Sequence, residues 1–322
     1  MAVYLYDSRS FDGWMNLSVD RFFLENLKSD DIMLYFYVNE NAVIIGKNQN
    51  AWKECNIPAM EKDMVQLVRR HTGGGAVYHD MGNLNFSFIA GNGIYDQDRQ
   101  FNVILKALRG FGLDGEKSGR NDLLIDGKKF SGNAFAKSGN LSAHHGTLLV
   151  SCDMTRLSGY LNPSETKLRA KGVTSVRSRV VNLKELSQDI NVDDLREEII
   201  KAFGEEYGEP VIYEFKDEDR TRIREIYIEQ SSWEWNFGHT PVFEKELQGR
   251  MSFGEVQIFL NVRNGHISEV KVYSDALDTD FPEHLETLLA GKRYDRSEIS
   301  RALESSEDRR MGEIIDIFES TF

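Results

Sequence analysis

Two arginines followed by three consecutive glycines stand out in Arg69-Arg70-His71-Thr72-Gly73-Gly74-Gly75-Ala76-Val77-Tyr78-His79-Asp80. Glycines leave no side chain between backbone and ligand, and they admit positive φ. Successive N–H groups in such a stretch can line a concavity for an anion. Arginines beside it can pair with a carboxylate or a phosphate. A flexible turn with solvated arginines is the functionless alternative. A second segment runs from Gly119 to Ala134 (GRNDLLIDGKKFSGNA). Its Asn121 and Asp122 offer hard oxygen ligands of the kind Mg²⁺ requires when it carries phosphates. Past the turn at Asp126-Gly127, strand alternation predicts Lys129 and Ser131 on one face, with Lys128 and Phe130 on the other. A charged hairpin without function is the alternative. The third segment, Lys171-Gly172-Val173-Thr174-Ser175-Val176-Arg177-Ser178-Arg179-Val180, interleaves basic and small residues without helical periodicity. It suits a loop that folds over an anionic group, or simply a solvated basic loop.

Other patterns carry less. The G-x-G-x-x-G match at Gly110–Gly115 (GFGLDG) follows a helical pattern and precedes a loop, whereas a dinucleotide fingerprint needs a strand before it and a helix after it. A helix end and a turn is the better reading. No Walker A pattern occurs. His144 and His145 are adjacent in a strand pattern, so they point to opposite faces and cannot readily chelate one ion. Two cysteines, Cys55 and Cys152, are too few for a disulfide framework or a zinc site.

These segments need a scaffold. The 322 residues suggest two domains. With 40% hydrophobic and 28% charged residues, the composition is that of a globular chain. The formal charge of −13 disfavours nucleic acid as a partner. No apolar run is long enough to span a bilayer, and the N-terminus lacks a signal-peptide pattern. A cytoplasmic protein without membrane association is therefore expected. Apolar spacing predicts a helix over 15–27, strands at 32–38, 42–46 and 65–70, and a half-buried strand at 83–90. A helix follows at 98–110, then antiparallel sheet over 120–151. Further helices are expected at 153–161, 193–207 and 217–229, and a short strand at 211–215. After Trp233–Pro241 come two long strands within 250–274 and helices at 281–290, 296–305 and 311–320. The irregular alternation with several hairpins argues for an α+β fold with a mostly antiparallel sheet. The expected division is a catalytic domain over 1–246 and a small α+β C-terminal accessory domain over 247–322.

Together the segments resemble the lipoate–protein ligases. The resemblance rests on RRHTGGGAVYHD, GRNDL, DGKKFSG, HHGTLL, KGVTSVRSRV and SSWEWNFG, in that order along the chain. It covers most of 1–245 and weakly the remainder. It implies a catalytic domain like those of biotin protein ligases and class II aminoacyl-tRNA synthetases. It also implies a two-step reaction. Lipoate and Mg·ATP give lipoyl-AMP and pyrophosphate, and a lysine of an acceptor protein then attacks the mixed anhydride. The acceptors it implies are the lipoyl domains of 2-oxoacid dehydrogenase complexes and the glycine cleavage H protein.

Carried over residue by residue, Lys129 matches the active-site lysine. Opposite charges 4 Å apart are worth about 4 kcal/mol at an effective dielectric near 20, enough to matter to a rate. Arg70 and the N–H groups of Gly75, Ala76, Val77 and Tyr78 match nucleotide and lipoate contacts. Asn121 and Asp122 match polar groups near the metal and phosphates. The wider substrate-binding set adds Gly73, Gly74, His79, Ser131, His145, Gly146 and Thr147. Lys171 and Arg177 belong to the segment matching the adenylate-binding loop. Two rivals share the scaffold: an octanoyl- or lipoyl-transferase working through a cysteine thioester, and a non-catalytic ligand-binding homologue.

Overall fold

The computed structural model describes residues 1–119, 121–162, 180–240, 242–274, 278, 280–319 and 321–322. It divides into two compact units: Met1–Lys47 with Met64–Ser231, and Asn48–Asp63 with Ser232–Phe322.

The first unit opens with β1 (Val3–Asp7), α1 (Gly13–Asn26), β2 (Ile32–Tyr37) and β3 (Asn41–Ile45). Asp12 caps α1, accepting from the N–H groups of Trp14 and Met15. In the second unit, α2 (Ala51–Glu54) and α3 (Ile57–Lys62) come next in the chain. The first unit resumes with β4 (Gln66–Arg69), β5 (Val77–Asp80), β6 (Asn83–Gly91) and α4 (Gln97–Arg109). The glycine-rich 110–115 stretch is the helix end and turn expected, with Gly112 at φ 72°. Then come β7 (Glu116–Ser118), β8 (Asp122–Ile125), β9 (Lys128–Ser138), β10 (Leu141–Leu149) and α5 (Met154–Tyr160). The unit ends with α6 (Leu183–Leu186), α7 (Val192–Tyr207), β11 (Val211–Ile212) and α8 (Asp217–Gln230).

Its main sheet has the order β11-β1-β2-β6-β10-β9-β8-β7, and a smaller sheet the order β4-β3-β5. Pairings are antiparallel except β1 with β2, β1 with β11 and β3 with β4. The α+β, mostly antiparallel architecture is thus the one the patterning predicts. One expectation fails. β6 was expected to be half-buried, yet all nine of its residues are buried. Leu84, Phe86, Phe88 and Ala90 join a core with Phe101 and Leu108 of α4 and Ile199 and Phe203 of α7. On the opposite face Ile89 packs with Leu17 and Val19 of α1. The polar residues that made the alternation look amphipathic, Asn83, Asn85 and Ser87, are enclosed instead.

In the second unit, Trp52 at α2 packs its ring 5.2–5.3 Å from those of Phe237, Phe243 and Tyr294. The remaining chain forms β12 (Phe243–Met251), β13 (Gly254–Arg263) and β14 (His266–Ser274), an antiparallel sheet in sequence order. Helices α9 (Phe281–Leu289), α10 (Arg296–Glu304) and α11 (Met311–Glu319) complete a core around Val256, Ile258, Leu285 and Ile314. Only two of the three strands are foreseen from sequence. In β12 the apolar period Phe243, Leu247, Met251 is interrupted by Lys245 and Gly249, so the strand does not announce itself. Glu246 and Leu247, the boundary drawn from sequence, are consecutive residues of β12.

Candidate active site

The glycine segment joins β4 to β5, and Arg70 shapes it. Its Nε and Nη2 donate to the Gly73 carbonyl at 3.0 and 2.7 Å, and Nη2 donates also to the Gly75 carbonyl at 2.8 Å. Nη1 reaches the Ile44 carbonyl at 3.2 Å. In a trans peptide the N–H points opposite to the C=O. With the Gly73 and Gly75 carbonyls drawn to Arg70, the N–H groups of Gly74 and Ala76 face away from it, as an anion cradle requires. Burial lowers the Arg70 pKa to about 10, which leaves it charged at neutral pH. Gly74 sits at φ 102°, and a Cβ there would lie 2.6 Å from Arg70 Nη2. Arg70, which the resemblance matches to nucleotide and lipoate contacts, has as its partners in this structure two carbonyls of the loop and one of β3.

Two further groups brace this loop. The Lys47 N–H donates to the Thr72 carbonyl at 2.8 Å. Thr72 Oγ1 lies 2.9 Å from His145 Nε2, and His145 Nδ1 lies 3.5 Å from Asp20 Oδ2. In β5 the side chains alternate. Tyr78 turns to Asn41, donating to its Oδ1 at 3.0 Å. His79 is buried, and its Nδ1 accepts from Asn39 Nδ2 at 3.0 Å. Burial first, and the Arg70 charge second, push the His79 pKa down to about 3. The ring is therefore neutral with its proton on Nε2, which is buried without a partner among the described residues.

The second group is the β8–β9 hairpin. Asp126 and Gly127 have φ of 49° and 73°, the positive pair that a tight two-residue hairpin turn demands. Lys129 Nζ pairs with Asp122 Oδ1 at 2.6 Å. The lysine lies along Gly132, where a Cβ would stand 3.0 Å from Nζ and 3.9 Å from Thr147 Oγ1. The expectation that Ser131 shares this face is wrong. Leu124 pairs with Lys129 but Leu123 pairs with Ser131, so Phe130 is an extra residue and the strand bulges there. Ser131 is thereby rotated into the interior, where it accepts from Asn133 Nδ2 at 3.2 Å. Gly146 also belongs to the interior, since a Cβ on it would meet Asn133 Oδ1 at 2.4 Å and Phe86 at 2.6 Å.

The two groups meet along β10. His145 and Thr147 share one face of that strand, roughly 7 Å apart, one beside Thr72 and the other beside Gly132. His144 points the other way, as adjacent strand residues must. The result is a fixed ammonium at one end and a cradle of N–H groups at the other. Such an arrangement can hold a carboxylate against a phosphate. Lys171 and Arg177, with most of their segment, lie outside the described residues. Asp20 had no signal in the sequence, whereas Thr72, Gly132 and Asn133 stand inside the segments quoted from it without being singled out there.

For a divalent cation, no cluster of three or more His, Cys, Asp or Glu residues exists among the described residues. Asp122, with Asn121 beside it, still fits an ion held mainly by a triphosphate, because Mg²⁺ bound to phosphates needs only one or two protein oxygens.

Comparison with known proteins places this geometry in a family. Residues 12–204 match the family model described as the lipoyl protein ligase A/B catalytic domain. Residues 240–316 match the bacterial lipoate protein ligase C-terminus. The chain is 40% identical over 308 residues to lipoate-protein ligase A of Psychrobacter cryohalolentis, covering 93% of this chain and 91% of that one. Among solved structures, the bipartite lipoate protein ligase of Thermoplasma acidophilum, described with its E2 lipoyl domain, superposes with a TM-score of 0.66. It is 31% identical, over 74% of this chain and 97% of its own. A lipoate-protein ligase A bound with ATP gives a TM-score of 0.65 at 28% identity, over 74% and 98% of the two chains.

Proposed function

The chain belongs to the lipoate–protein ligase family, and on that premise we propose that it activates lipoate with ATP and transfers the lipoyl group to a lysine of an acceptor protein. In the first step a lipoate carboxylate oxygen attacks the α-phosphorus of ATP. The bond to the β-phosphate oxygen breaks, and pyrophosphate leaves. In the second step the acceptor lysine, having lost its proton, attacks the acyl carbon. An amide forms, the acyl–oxygen bond breaks, and AMP departs. The observation that carries this reading is Lys129, laid along Gly132 beside Thr147 and aligned by Asp122. An ammonium fixed there neutralises charge where carboxylate and phosphate meet. The Gly74 and Ala76 N–H groups suit an oxyanion of the same substrates. Asn121 and Asp122 would hold Mg²⁺, which neutralises the triphosphate.

The acceptors we propose are the lipoyl domains of 2-oxoacid dehydrogenase complexes and the glycine cleavage H protein, met in the cytoplasm. The support is the Thermoplasma relative described with its E2 lipoyl domain. No helix among the described residues is long and apolar enough to cross a membrane. The accessory role of the C-terminal part belongs to the same proposal. The test is purified protein with lipoate, ATP and an acceptor domain, read by gel shift and by pyrophosphate release. Both signals should require lipoate, ATP and Mg²⁺. Pyrophosphate release that persists undiminished in excess chelator would refute the metal assignment, and its absence under all conditions would refute the ligase.

A thioester mechanism is disfavoured by the cysteines themselves. Both are buried. Burial, reinforced by the neighbouring Asp80 carboxylate, pushes the Cys152 thiol far above its usual range, whereas a thiolate nucleophile needs the reverse. The double variant Cys55→Ser, Cys152→Ser should keep lipoylation within about twofold of the parent. A folded but inactive double variant, together with an acyl-enzyme seen by mass spectrometry in the parent, would reverse this conclusion.

A further inference from the structure

His144 is fully buried, facing away from the substrate groups. The rings of Phe86, Phe88, Phe101 and Phe135 surround it at centroid distances of 4.6–5.9 Å. A histidine in so apolar a place is normally core filling. Its two nitrogens say more. Nε2 lies 2.9 Å from Asn133 Oδ1. Nδ1 lies 3.1 Å from Oε1 of Gln100, itself fully buried in α4.

From Asn133 the connections continue outward. Its Nδ2 and its backbone N–H both donate to the Asn121 carbonyl, at 3.1 and 2.9 Å. Asn121 Nδ2 returns a bond to the Asn133 carbonyl at 2.9 Å. The next residue is Asp122, which holds Lys129. Gly146 makes room for the link, because any side chain there would collide with Asn133 Oδ1.

The direction of every bond follows from one group. The Asn121 carbonyl can only accept, so the Asn133 amide must present Nδ2 to it. That leaves Oδ1 facing His144, and Nε2 must carry the proton. Burial keeps the imidazole neutral, with its pKa lowered to about 3, so Nδ1 is an acceptor. The Gln100 amide, whose Oε1 stands at Nδ1, must then be turned over so that its nitrogen donates there. This arrangement also gives a partner to the Gln100 Nε2, which is otherwise buried and unpaired.

We propose that His144 is a positioning residue for adenylation: through Asn133 it fixes Asn121, and with it the Asp122–Lys129 pair. The proposal rests on the ligase reading of Lys129. Its action is on the placement of the ammonium, and it touches no substrate. A purely structural histidine would affect stability, while a positioning one affects kcat according to which nitrogen is preserved.

Two substitutions separate these roles. In His144→Gln the side-chain amide nitrogen reaches about as far as Nε2 and can still donate to Asn133. In His144→Asn the amide reaches only as far as Nδ1, and the Asn133 bond is lost. Both shorten the ring and should cost similar stability. The measurement is the rate of lipoate-dependent pyrophosphate release at saturating substrate, with KM for lipoate and thermal melts of both variants. His144→Gln should stay within about threefold of the parent, and His144→Asn should lose about 10–100-fold in kcat with KM little changed. Equal losses in the two, or activity that simply follows melting temperature, would overturn the proposal. If the variants do not fold, the imidazole ¹⁵N resonances of the unmodified protein decide. A ring protonated on Nε2 alone, at all pH values from about 5.5 to 8, supports the assigned network. A proton on Nδ1, or a charged ring, overturns it. Absence of pyrophosphate release in the parent itself would instead refute the ligase reading, leaving the resonances to judge the network.

Discussion

Lys129→Ala abolishes lipoyl-AMP formation while leaving the protein folded: this is the largest effect expected from any single side chain here. On the proposed mechanism the Lys129 ammonium neutralises charge that develops between the lipoate carboxylate and the α-phosphate, and nothing in the described structure replaces it. Removing one well-placed electrostatic group from an active site costs on the order of 10²–10³-fold in rate. Stability should hardly change. The lysine side chain is 34% exposed and its partner Asp122 38% exposed, and pairs in such surroundings contribute little. A melting temperature within about 2–4 °C of the parent is expected, the shift that ~1 kcal/mol gives at this domain size. Lys129→Arg should also be poor. A planar guanidinium cannot take the place of a compact ammonium lying along Gly132 next to Thr147. The check is pyrophosphate release and direct detection of lipoyl-AMP, beside a thermal melt. A variant that forms the adenylate at more than about a tenth of the parental rate would remove Lys129 from its role.

The path from sequence to this site was uneven, for physical reasons. The glycine triplet and the Asp126-Gly127 turn were legible because glycine has conformations that other residues lack, and both turn residues indeed have positive φ. Lys129 was legible through its motif, but its surroundings were not. Strand alternation placed Ser131 beside it, whereas the bulge at Phe130 exchanges faces, and a bulge leaves no reliable mark in sequence. The true neighbour is Gly132, noticeable only as something missing. Arg70 was recognised as important, yet residue type alone cannot distinguish an arginine that binds a phosphate from one that binds the carbonyls of its own loop. The same holds for His144 and His145. Their opposite directions follow from strand geometry, but the Asn133–Asn121 link depends on residues 12 apart across a strand pair. In the second unit, Trp52 joins an aromatic cluster with residues beyond 230. Composition gives no hint of such a discontinuous assembly, because hydrophobic burial is blind to sequence distance.

Gly46 tests the claim that the glycine loop is held in shape from outside itself. It ends the β3 strand, well away from the triplet in sequence. A Cβ on Gly46 would lie 2.3 Å from the Gly74 carbonyl oxygen and 3.2 and 3.3 Å from the carbonyl carbons of Gly74 and Gly73. These atoms are backbone and cannot swing aside. The loop must therefore retreat, and it cannot do so without disturbing the bonds from Arg70 to Gly73 and Gly75 or the Lys47–Thr72 bond. Misplacement of a binding loop by about 1 Å can cost on the order of 10²-fold in rate. Gly46→Ala should thus lose about 10²-fold in kcat/KM for lipoate, with weakened lipoate binding by calorimetry. Gly93→Ala is the matching control, since a Cβ there meets nothing within 4 Å and its φ is unexceptional. It should bind lipoate and turn over as the parent does. Lipoate affinity in Gly46→Ala equal to that of the control would show that the triplet keeps its form without the contact, and that Arg70 alone suffices to set the direction of its N–H groups.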